Sequence, residues 1–433
     1  MNNENTSERL NNSKVSTWLA DNVVSLIFVA FTIFGFLVSD GVTMNFFLTE
    51  LSSRFFRNAF LVLSLIIPVV AGLGLNFGIV VGAMAGQIAL AIVLYFGWGG
   101  VNGLLLTMLI ALPIATLFGY LTGLLYNKTR GQEMIASLMV GYFANGIYQF
   151  LFLFVVGVII KVPNTHPMIK PDGVGVRMTV DMGAHDKGGL KYALDKIWEI
   201  PFMWAILAVF ACILLLQIWK IVRNKKNPTL YRYNMTMTAI NIILSLVMIA
   251  ISVHAITTNS SLMIVRKVPV ITGLLIVALC IFNELILKTK LGQDFRSVGQ
   301  SQHIAEVSGI NVDKTRIIAT IMSTVFAAWG QIMYLQNMGT LNTYGAHMQI
   351  GLFSVAALLV GGASTQKAGV KHAIFGTLLF NSMFIMSPEI GLSLFGNALL
   401  GEYFRTFMVY GVIGLALGLH VWRTNKKGKI TLN

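Results

Sequence analysis

The chain has 433 residues, of which 56% are hydrophobic and 11% charged, and its mean hydropathy is +0.75. A soluble globular domain has about 25% charged residues, so this composition excludes that class and indicates a polytopic membrane protein. The net charge of +14 does not indicate nucleic-acid binding, because the basic residues are spread over the connections between apolar runs. The two cysteines, Cys212 and Cys280, lie within apolar runs and form neither a disulfide framework nor a metal-ligand pattern.

Twelve apolar runs approach the length of about 20 residues that spans a bilayer. A polar N-terminal tail, residues 1–20, precedes them, and a basic tail, residues 423–433, follows them. The sequence therefore predicts an all-α fold with about twelve transmembrane helices in one membrane domain, residues 21–422. Three runs are short, which is typical of discontinuous helices. The runs are 23–38, 58–71, 79–96, 101–125, 135–160, 202–222, 236–255, 268–287, 317–335, 349–360, 373–386 and 404–420.

The distribution of charge predicts the orientation of these helices. With the N-terminus in the cytoplasm, twelve crossings place most of the Lys and Arg residues inside, whereas Asp and Glu divide about evenly. An excess of basic residues inside is the rule for membrane proteins, so both termini are predicted to be cytoplasmic.

The first half of the chain contains a predicted surface helix and a glycine-rich stretch. Residues 40–57 carry phenylalanines at helical spacing, and we expect them to lie on the outer membrane surface. The stretch 72–87 has five glycines, which favours close helix packing. It also contains Asn76 and Gln87, and an amide inside a membrane span needs hydrogen-bond partners or a water-filled path. We therefore predict that both residues line a solute pathway.

Further pathway candidates are amides in later apolar segments. Asn145 and Gln149 are four residues apart on one face of a predicted helix, and Gln331 and Asn337 lie on the outer half of another. A long external loop, residues 161–200, follows the first pair.

Residues 288–316, here named the coupling segment, form a polar stretch between two long apolar runs. Its five Lys and Arg residues place it in the cytoplasm. Gly292 is predicted to open a short helical region, with Gly299 and Gly309 bracketing residues 300–308, and Asp313 is predicted to cap the next helix.

The sequence of the coupling segment, GQDFRSVGQSQHIAEVSGINV, resembles the permease subunits of ATP-binding cassette importers, in the branch for simple sugars, nucleosides and related polar solutes. A second stretch, residues 128–147, is similar to the nucleoside-type members, although Val80 and Val81 stand where those members often have a Glu. The matching positions are Gly292, Arg296, Gly299, Gln300, Ala305, Gly309, Ile310 and Asn311 in the first stretch, and Arg130, Gly131, Glu133, Leu138, Met139 and Tyr142 in the second.

This resemblance implies a core of ten helices, to which residues 202–255 add an inserted helix pair. It also implies that the coupling segment docks on a separate ATPase subunit through Gly292, Arg296, Gly299, Ile304, Glu306, Val307 and Gly309. A second permease subunit, identical or homologous, and an extracytoplasmic solute-binding protein would complete the complex in a bacterial cytoplasmic membrane. ATP and Mg²⁺ are expected on the ATPase, because no phosphate-binding loop motif occurs in this chain, and no cofactor is expected here.

The function predicted from the sequence is uptake of a polar solute, with a nucleoside favoured and a simple sugar as the alternative. An ion-driven secondary transporter would need intramembrane carboxylates or an ion site built from discontinuous helices. A purely structural membrane subunit would not need inward-facing amides. No arrangement of catalytic or metal-binding residues stands out, so an enzyme is not expected.

The predicted topology can be tested by thiol labelling in intact cells. Single cysteines at Asn2, Lys225 and Lys427 should resist an impermeant reagent added outside, whereas one at Asp181 should react. Strong labelling of Lys225→Cys from outside would contradict the inserted helix pair.

Overall fold

The computed structural model describes residues 22–39, 41–163, 165–172, 174–183, 188–226 and 235–430. The predicted N-terminal tail, residues 1–20, lies outside these ranges. Helices make up most of the described residues, and each of the twelve apolar runs lies mostly within helices. The predicted all-α polytopic membrane fold is confirmed.

The first half of the chain forms six helices, the sixth of which continues as a π-helical turn, and one strand. Gly157 interrupts the π-helical turn with a φ of 103°. These elements are α1 (Asn22–Val38), α2 (Met44–Leu63), α3 (Ile66–Val70), α4 (Ile79–Tyr95), α5 (Gly100–Lys128), α6 (Glu133–Phe150), the π-helical turn (Leu151–Ile159) and β1 (Thr179–Asp181).

The second half contains longer helices and several short elements between them. These are β2 (Glu199–Ile200), α7 (Phe202–Lys226), α8 (Met235–Thr257), a 3₁₀ turn (Ser261–Ile264), β3 (Val268–Pro269), α9 (Val270–Ile286), α10 (Lys290–Gln300), α11 (Gln302–Val307), α12 (Val312–Met338), β4 (Thr340–Asn342), α13 (Ile350–Val360), α14 (Val370–Phe395) and α15 (Ala398–Ile430).

The spans differ in length. Among the described residues, seven helical segments are long and apolar enough to cross a membrane, and α9 with α10 forms an eighth if this pair, bent by 74°, is one span. Three shorter apolar helices, α1, α4 and α13, account for three more of the twelve runs, and the last run lies in α15. The segments that pass alone are Met44–Val70, Gly100–Lys128, Glu133–Ile159, Phe202–Asn224, Met237–Thr257, Val312–Met338 and Val370–Phe395.

The surface helix predicted for residues 40–57 is wrong. Residues 44–57 and the predicted second span belong to one helical segment, Met44–Val70, which packs against α12 and α14. Its phenylalanines are divided between environments, with Phe47 buried and Phe46 exposed. The residues do form a helix, as their periodicity predicts, but its apolar face packs against other helices and not against the membrane surface.

Helix α12 lies at the centre of the bundle, between α4 and α5. Gly82 and Gly86 of α4 lie against the backbone of Thr324 and Ala328, whose carbonyl oxygens a Cβ atom would strike. Gly119 of α5 approaches α12 in the same way. These contacts explain the glycine-rich stretch, since small residues let helix backbones meet where lipid supplies no hydrophobic drive.

The inserted pair, α7 and α8, lies at the edge of the bundle. The two helices pack on each other and on the 3₁₀ turn. Only 6% of the most apolar stretch of α7, and 17% of that of α8, is buried within the chain. Their apolar surfaces therefore face outward.

Two short antiparallel sheets join the external loop to later parts of the chain. Strand β1 pairs with β4, so that Thr179 lies opposite Asn342. Strand β2 pairs with β3 at the start of α9.

Helix α10 is held against α3 by a contact between two glycines. A Cβ atom at Gly299 would strike the carbonyl oxygen of Val70, and Gly72 lies directly opposite. We expect Gly299→Ala to cost about 1–3 kcal/mol, because overpacking forces backbone shifts. The measurement is thermal unfolding of the purified chain in detergent. Gly146→Ala is the control, since nothing lies within 4 Å of a Cβ atom there, and equal midpoints for the two variants would contradict the packing argument.

Candidate functional site: the coupling segment, buried amides and cavities

The coupling segment forms two helices, α10 and α11, followed by the start of α12. The Thr289 hydroxyl accepts a hydrogen bond from Gly292 N and caps α10. Ser301 caps α11, and the Asn311 side chain caps α12 by accepting from Lys314 N.

Three of the predicted boundaries are therefore wrong. Gly292 lies inside the first turn of α10, where a Cβ atom would strike the carbonyl oxygen of Ile286, and Asp313 lies in the first turn of α12 rather than at its cap. Gly299 is also inside α10. The predicted helix within residues 300–308 is present as α11, and Gly309, with a φ of 82°, follows its end. Glycine was mistaken for a helix boundary where it serves close packing.

Helix α11 has one anchored face and one free face. Ala305 is buried with Val298 and Val312 in a small apolar cluster. Ile304 and Val307 point away from it and are 66% and 77% exposed. Arg296 is also exposed. The segment thus presents an apolar pair to its surroundings while its opposite side is fixed to the bundle.

Arg130, in the connection between α5 and α6, ties this segment to the membrane helices. Its guanidinium lies 3.1 Å from Glu306 Oε1 and 2.6 Å from Asp313 Oδ1. The hydrogen bond to Asp313 is the main reason that the pKa of Arg130 is raised above its usual value. Glu306, predicted to contact a partner, therefore already has an ion-pair partner within the chain.

A second basic residue, Arg316, is completely buried beneath this connection. Its Nη2 donates to Glu133 Oε1 at 2.7 Å and to the carbonyl oxygen of Tyr126 at 2.9 Å. Its Nε donates to Asn127 Oδ1 at 3.0 Å. Glu133 is the first residue of α6, where a negative charge is also favoured by the helix dipole. The sequence analysis singled out Glu133 but missed its partner.

The predicted pathway amides lie in separate places, and most are already hydrogen-bonded. Asn76 is buried, and its Oδ1 accepts from the Tyr126 hydroxyl at 2.8 Å and from Gly78 N at 2.9 Å. Gln331 is fully buried, and neither of its amide atoms has a hydrogen-bond partner among the described residues. Gln149 is half-buried in α6.

Gln87 and Asn145 are joined by His347, which the sequence analysis missed. His347 lies between α12 and α13, outside the spans, with Nδ1 2.7 Å from Gln87 Oε1 and Nε2 2.8 Å from Asn145 Oδ1. Burial lowers the pKa of its imidazole to about 4, so the ring is neutral at pH 7. Gln87 Nε2 donates to the carbonyl oxygen of Asn342. The Oε1 atom of Gln87 must therefore be the acceptor for the Nδ1–H group of His347. A neutral ring donates once, so the Asn145 amide must turn its NH₂ group to Nε2.

Asn337 belongs to an outer cluster around Asp195, another residue that the sequence analysis missed. The Asp195 carboxylate is buried and accepts hydrogen bonds from Asn337, Gln336 and Thr272 at 2.6–2.8 Å. Asn337 Oδ1 in turn accepts from Arg57 Nε at 3.0 Å. This cluster holds the external loop, α9 and α2 to the outer end of α12.

Two cavities flank the start of α13. The first, here named the Arg57 cavity, has a volume of about 480 Å³ and lies among α2, α12, β4, α13 and α14. The second has a volume of about 410 Å³ and is mostly apolar, with Asn145 and Tyr142 in its wall. Gln349 lines both cavities. Of the six predicted pathway amides, Asn145 alone lines either of these two cavities.

Comparison with known proteins supplies the family. Residues 192–417 match the family described as branched-chain amino acid transport system, permease component, and this match covers more than half of the chain. The chain belongs to this permease family. The resemblance of the coupling segment to permeases of ATP-binding cassette importers, in the simple-sugar and nucleoside branch, is confirmed.

Three curated relatives align with parts of the permease. The xylose transport system permease protein XylH of Haemophilus influenzae is 32% identical over 142 residues, which are 32% of this chain and 35% of XylH. The probable ABC transporter permease protein YphD of Escherichia coli is 30% identical over 166 residues, 37% of this chain and 47% of YphD. The nucleoside ABC transporter permease protein NupB of Lactococcus lactis is 29% identical over 114 residues, 26% of this chain and 30% of NupB. Each alignment spans less than half of the relative, and no solved structure matches the permease.

The buried pair Arg316–Glu133 generates a stability prediction. Arg316→Met should destabilise the permease by about 3–5 kcal/mol, because it leaves a buried carboxylate without its partner. The double variant Arg316→Met/Glu133→Leu should recover most of that loss. Thermal unfolding in detergent measures both, with the exposed Arg296→Met as control. A double variant as unstable as Arg316→Met would show that the pair itself is not what stabilises this end of the bundle.

Proposed function

We propose that the permease is the transmembrane subunit of an ATP-binding cassette importer and forms the pathway for a polar solute, with nucleosides as the favoured class. The observation that carries this proposal is the free apolar face of α11. Two large apolar side chains, Ile304 and Val307, stand exposed on a helix that charge places in the cytoplasm.

The way in which α11 is held against the bundle supports a docking role. Ala305 and the Arg130 ion pairs hold the opposite side of the helix to the bundle, so that the apolar pair is presented in a fixed position. A preorganised apolar anchor loses little entropy when it enters a partner's groove. Motion of that partner would pass directly to α12, because α11 is followed by α12 after a short turn.

The remaining parts of the importer lie on other chains in this proposal. An ATPase subunit binds ATP and Mg²⁺ and receives α11, while the permease itself carries no cofactor. A second permease subunit, identical or homologous, completes the pathway, and an extracytoplasmic binding protein delivers the solute. The complex is placed in a bacterial cytoplasmic membrane with both termini of the permease inside.

The choice between solutes rests on limited likeness. The stretch around Arg130, Gly131 and Glu133 is similar to nucleoside-type members, and NupB is named as a nucleoside permease. XylH, which is named for xylose, aligns over a longer stretch, so a simple sugar is the second candidate.

The docking role predicts a specific loss of coupling. Ile304→Asp should abolish copurification of the co-expressed ATPase and solute-stimulated ATP hydrolysis, because a charge cannot enter an apolar groove without a large desolvation cost. The amount of permease in the membrane should not change, since Ile304 is exposed. Gln302→Asp, two residues earlier and therefore on the other side of α11, adds the same charge away from the apolar pair and should retain most of both activities. Normal copurification and hydrolysis with Ile304→Asp would refute the proposed docking surface.

A further inference from the structure

The Arg57 cavity combines the features of a small-molecule site. Its volume of about 480 Å³ falls within the range of about 300–1,000 Å³ that is usual for such sites. Two arginines line it, and none of its lining residues is an Asp or a Glu. Arg54 is paired with Glu50, so the Arg57 guanidinium is the charge that makes the cavity suit a neutral or anionic solute with hydrogen-bond acceptors.

The polar wall of the cavity is preorganised. Arg57 is held by Asn337 through Nε, at 3.0 Å, and by Ser53 through Nη2, at 3.3 Å. Among the described residues its Nη1 makes no hydrogen bond, which leaves an N–H edge for a ligand. Asn58 donates through Nδ2 to Asn381 Oδ1 at 3.1 Å, so the amide of Asn58 is also fixed.

Two further polar side chains in the wall have no hydrogen-bond partner within the described ranges. Gln349 stands exposed at the start of α13, and Ser354 lies one turn further along the helix, mostly buried. An amide offers one donor group and one acceptor, and a hydroxyl offers both. The cavity thus holds a set of uncommitted hydrogen-bonding groups on a rigid support.

Part of the wall is aromatic. Phe353, Phe380 and Phe384 form a cluster with ring centroids 4.8–6.0 Å apart. The Arg57 guanidinium lies 5.8 Å from the Tyr334 ring centre. The wall thus combines aromatic rings with amide and guanidinium groups, which together suit a planar ligand with a polar edge.

We propose that the Arg57 cavity binds the transported solute within a single subunit, and that this solute carries a planar unsaturated ring with hydrogen-bond acceptors on its edge, as a nucleobase does. Protein groups read bases by stacking them on aromatic rings and by pairing their edges with arginine and amide side chains. A sugar presents several hydroxyl donors, and the carboxylates that would accept them are absent from this lining. The inference rests on the proposed function and narrows its solute class.

The test is solute protection against thiol modification, in a variant in which Cys212 and Cys280 are replaced by serine. Ser354→Cys places a thiol in the Arg57 cavity. Leu352→Cys, two residues earlier on α13, lines the second cavity and is the matched control. Each variant is treated with a small water-soluble thiosulfonate reagent in membranes containing the co-expressed ATPase. The probes are adenosine and xylose, and uptake of labelled adenosine and labelled xylose is measured in parallel.

The proposal predicts that adenosine at its half-saturating concentration halves the rate of modification of Ser354→Cys. Leu352→Cys should be unaffected, and xylose should protect neither variant. Protection of Ser354→Cys by xylose alone would overturn the solute class. ATPase-dependent uptake of adenosine without protection at Ser354→Cys would place the route elsewhere, while leaving the proposed function standing. Absence of ATPase-dependent uptake of either probe would instead reject the proposed function.

Discussion

Burial of one arginine sets the arrangement of the end of the bundle that carries the coupling segment. Arg316 has no exposed surface, so its charge must be satisfied by neighbouring groups. Those groups come from two other elements: the Tyr126 carbonyl and the Asn127 amide at the end of α5, and Glu133 at the start of α6. The first turns of α12 are therefore fixed to the connection between α5 and α6.

The same connection also grips the coupling segment from outside. Arg130 pairs with Glu306 on α11 and with Asp313 on α12, at positions that remain partly exposed. Exposed pairs contribute little to stability, typically 0–1 kcal/mol, whereas the buried pair beneath them is costly to break. The two arginines thus have different roles. Arg316, the inner one, makes this end of the bundle rigid, and Arg130, the outer one, orients a short helix that has little core of its own.

Close backbone packing extends this rigidity through the membrane. Gly82, Gly86 and Gly119 bring α4 and α5 against α12, and Gly376 of α14 meets the backbone of α13 in the same way. Helices held so tightly move as bodies, because no soft side-chain layer separates them. The inserted helices α7 and α8 share none of these glycine contacts.

Hydropathy was sufficient to find the twelve apolar runs, because a span must satisfy its backbone hydrogen bonds internally and cover itself with apolar side chains. The position and polarity of the coupling segment were predictable for the same reason. The polar partners of the predicted residues could not be predicted from the sequence. His347, Asp195 and Arg316 each act on residues far away in the chain, and no local pattern identifies such pairs. Arg57 was overlooked because residues 40–57 were assigned to the membrane surface, which placed their charges in water.

The roles of glycine were also read too simply. Gly292 and Gly299 looked like helix boundaries, but each lies inside α10 at a point where another backbone comes close. A glycine at a boundary and a glycine at a close approach have the same local sequence, and they differ only in what lies opposite.

The pairing of β1 with β4 connects the external loop mechanically to the helix bundle. Strand β1 belongs to the loop, and β4 leads directly into the segment that carries His347 and Gln349. Within β4, the carbonyl of Asn342 holds Gln87 of α4, while the Asn342 side chain lines the Arg57 cavity. Strand β1 therefore connects the loop, through a ladder three residues long, to the wall of the cavity and to the centre of the bundle.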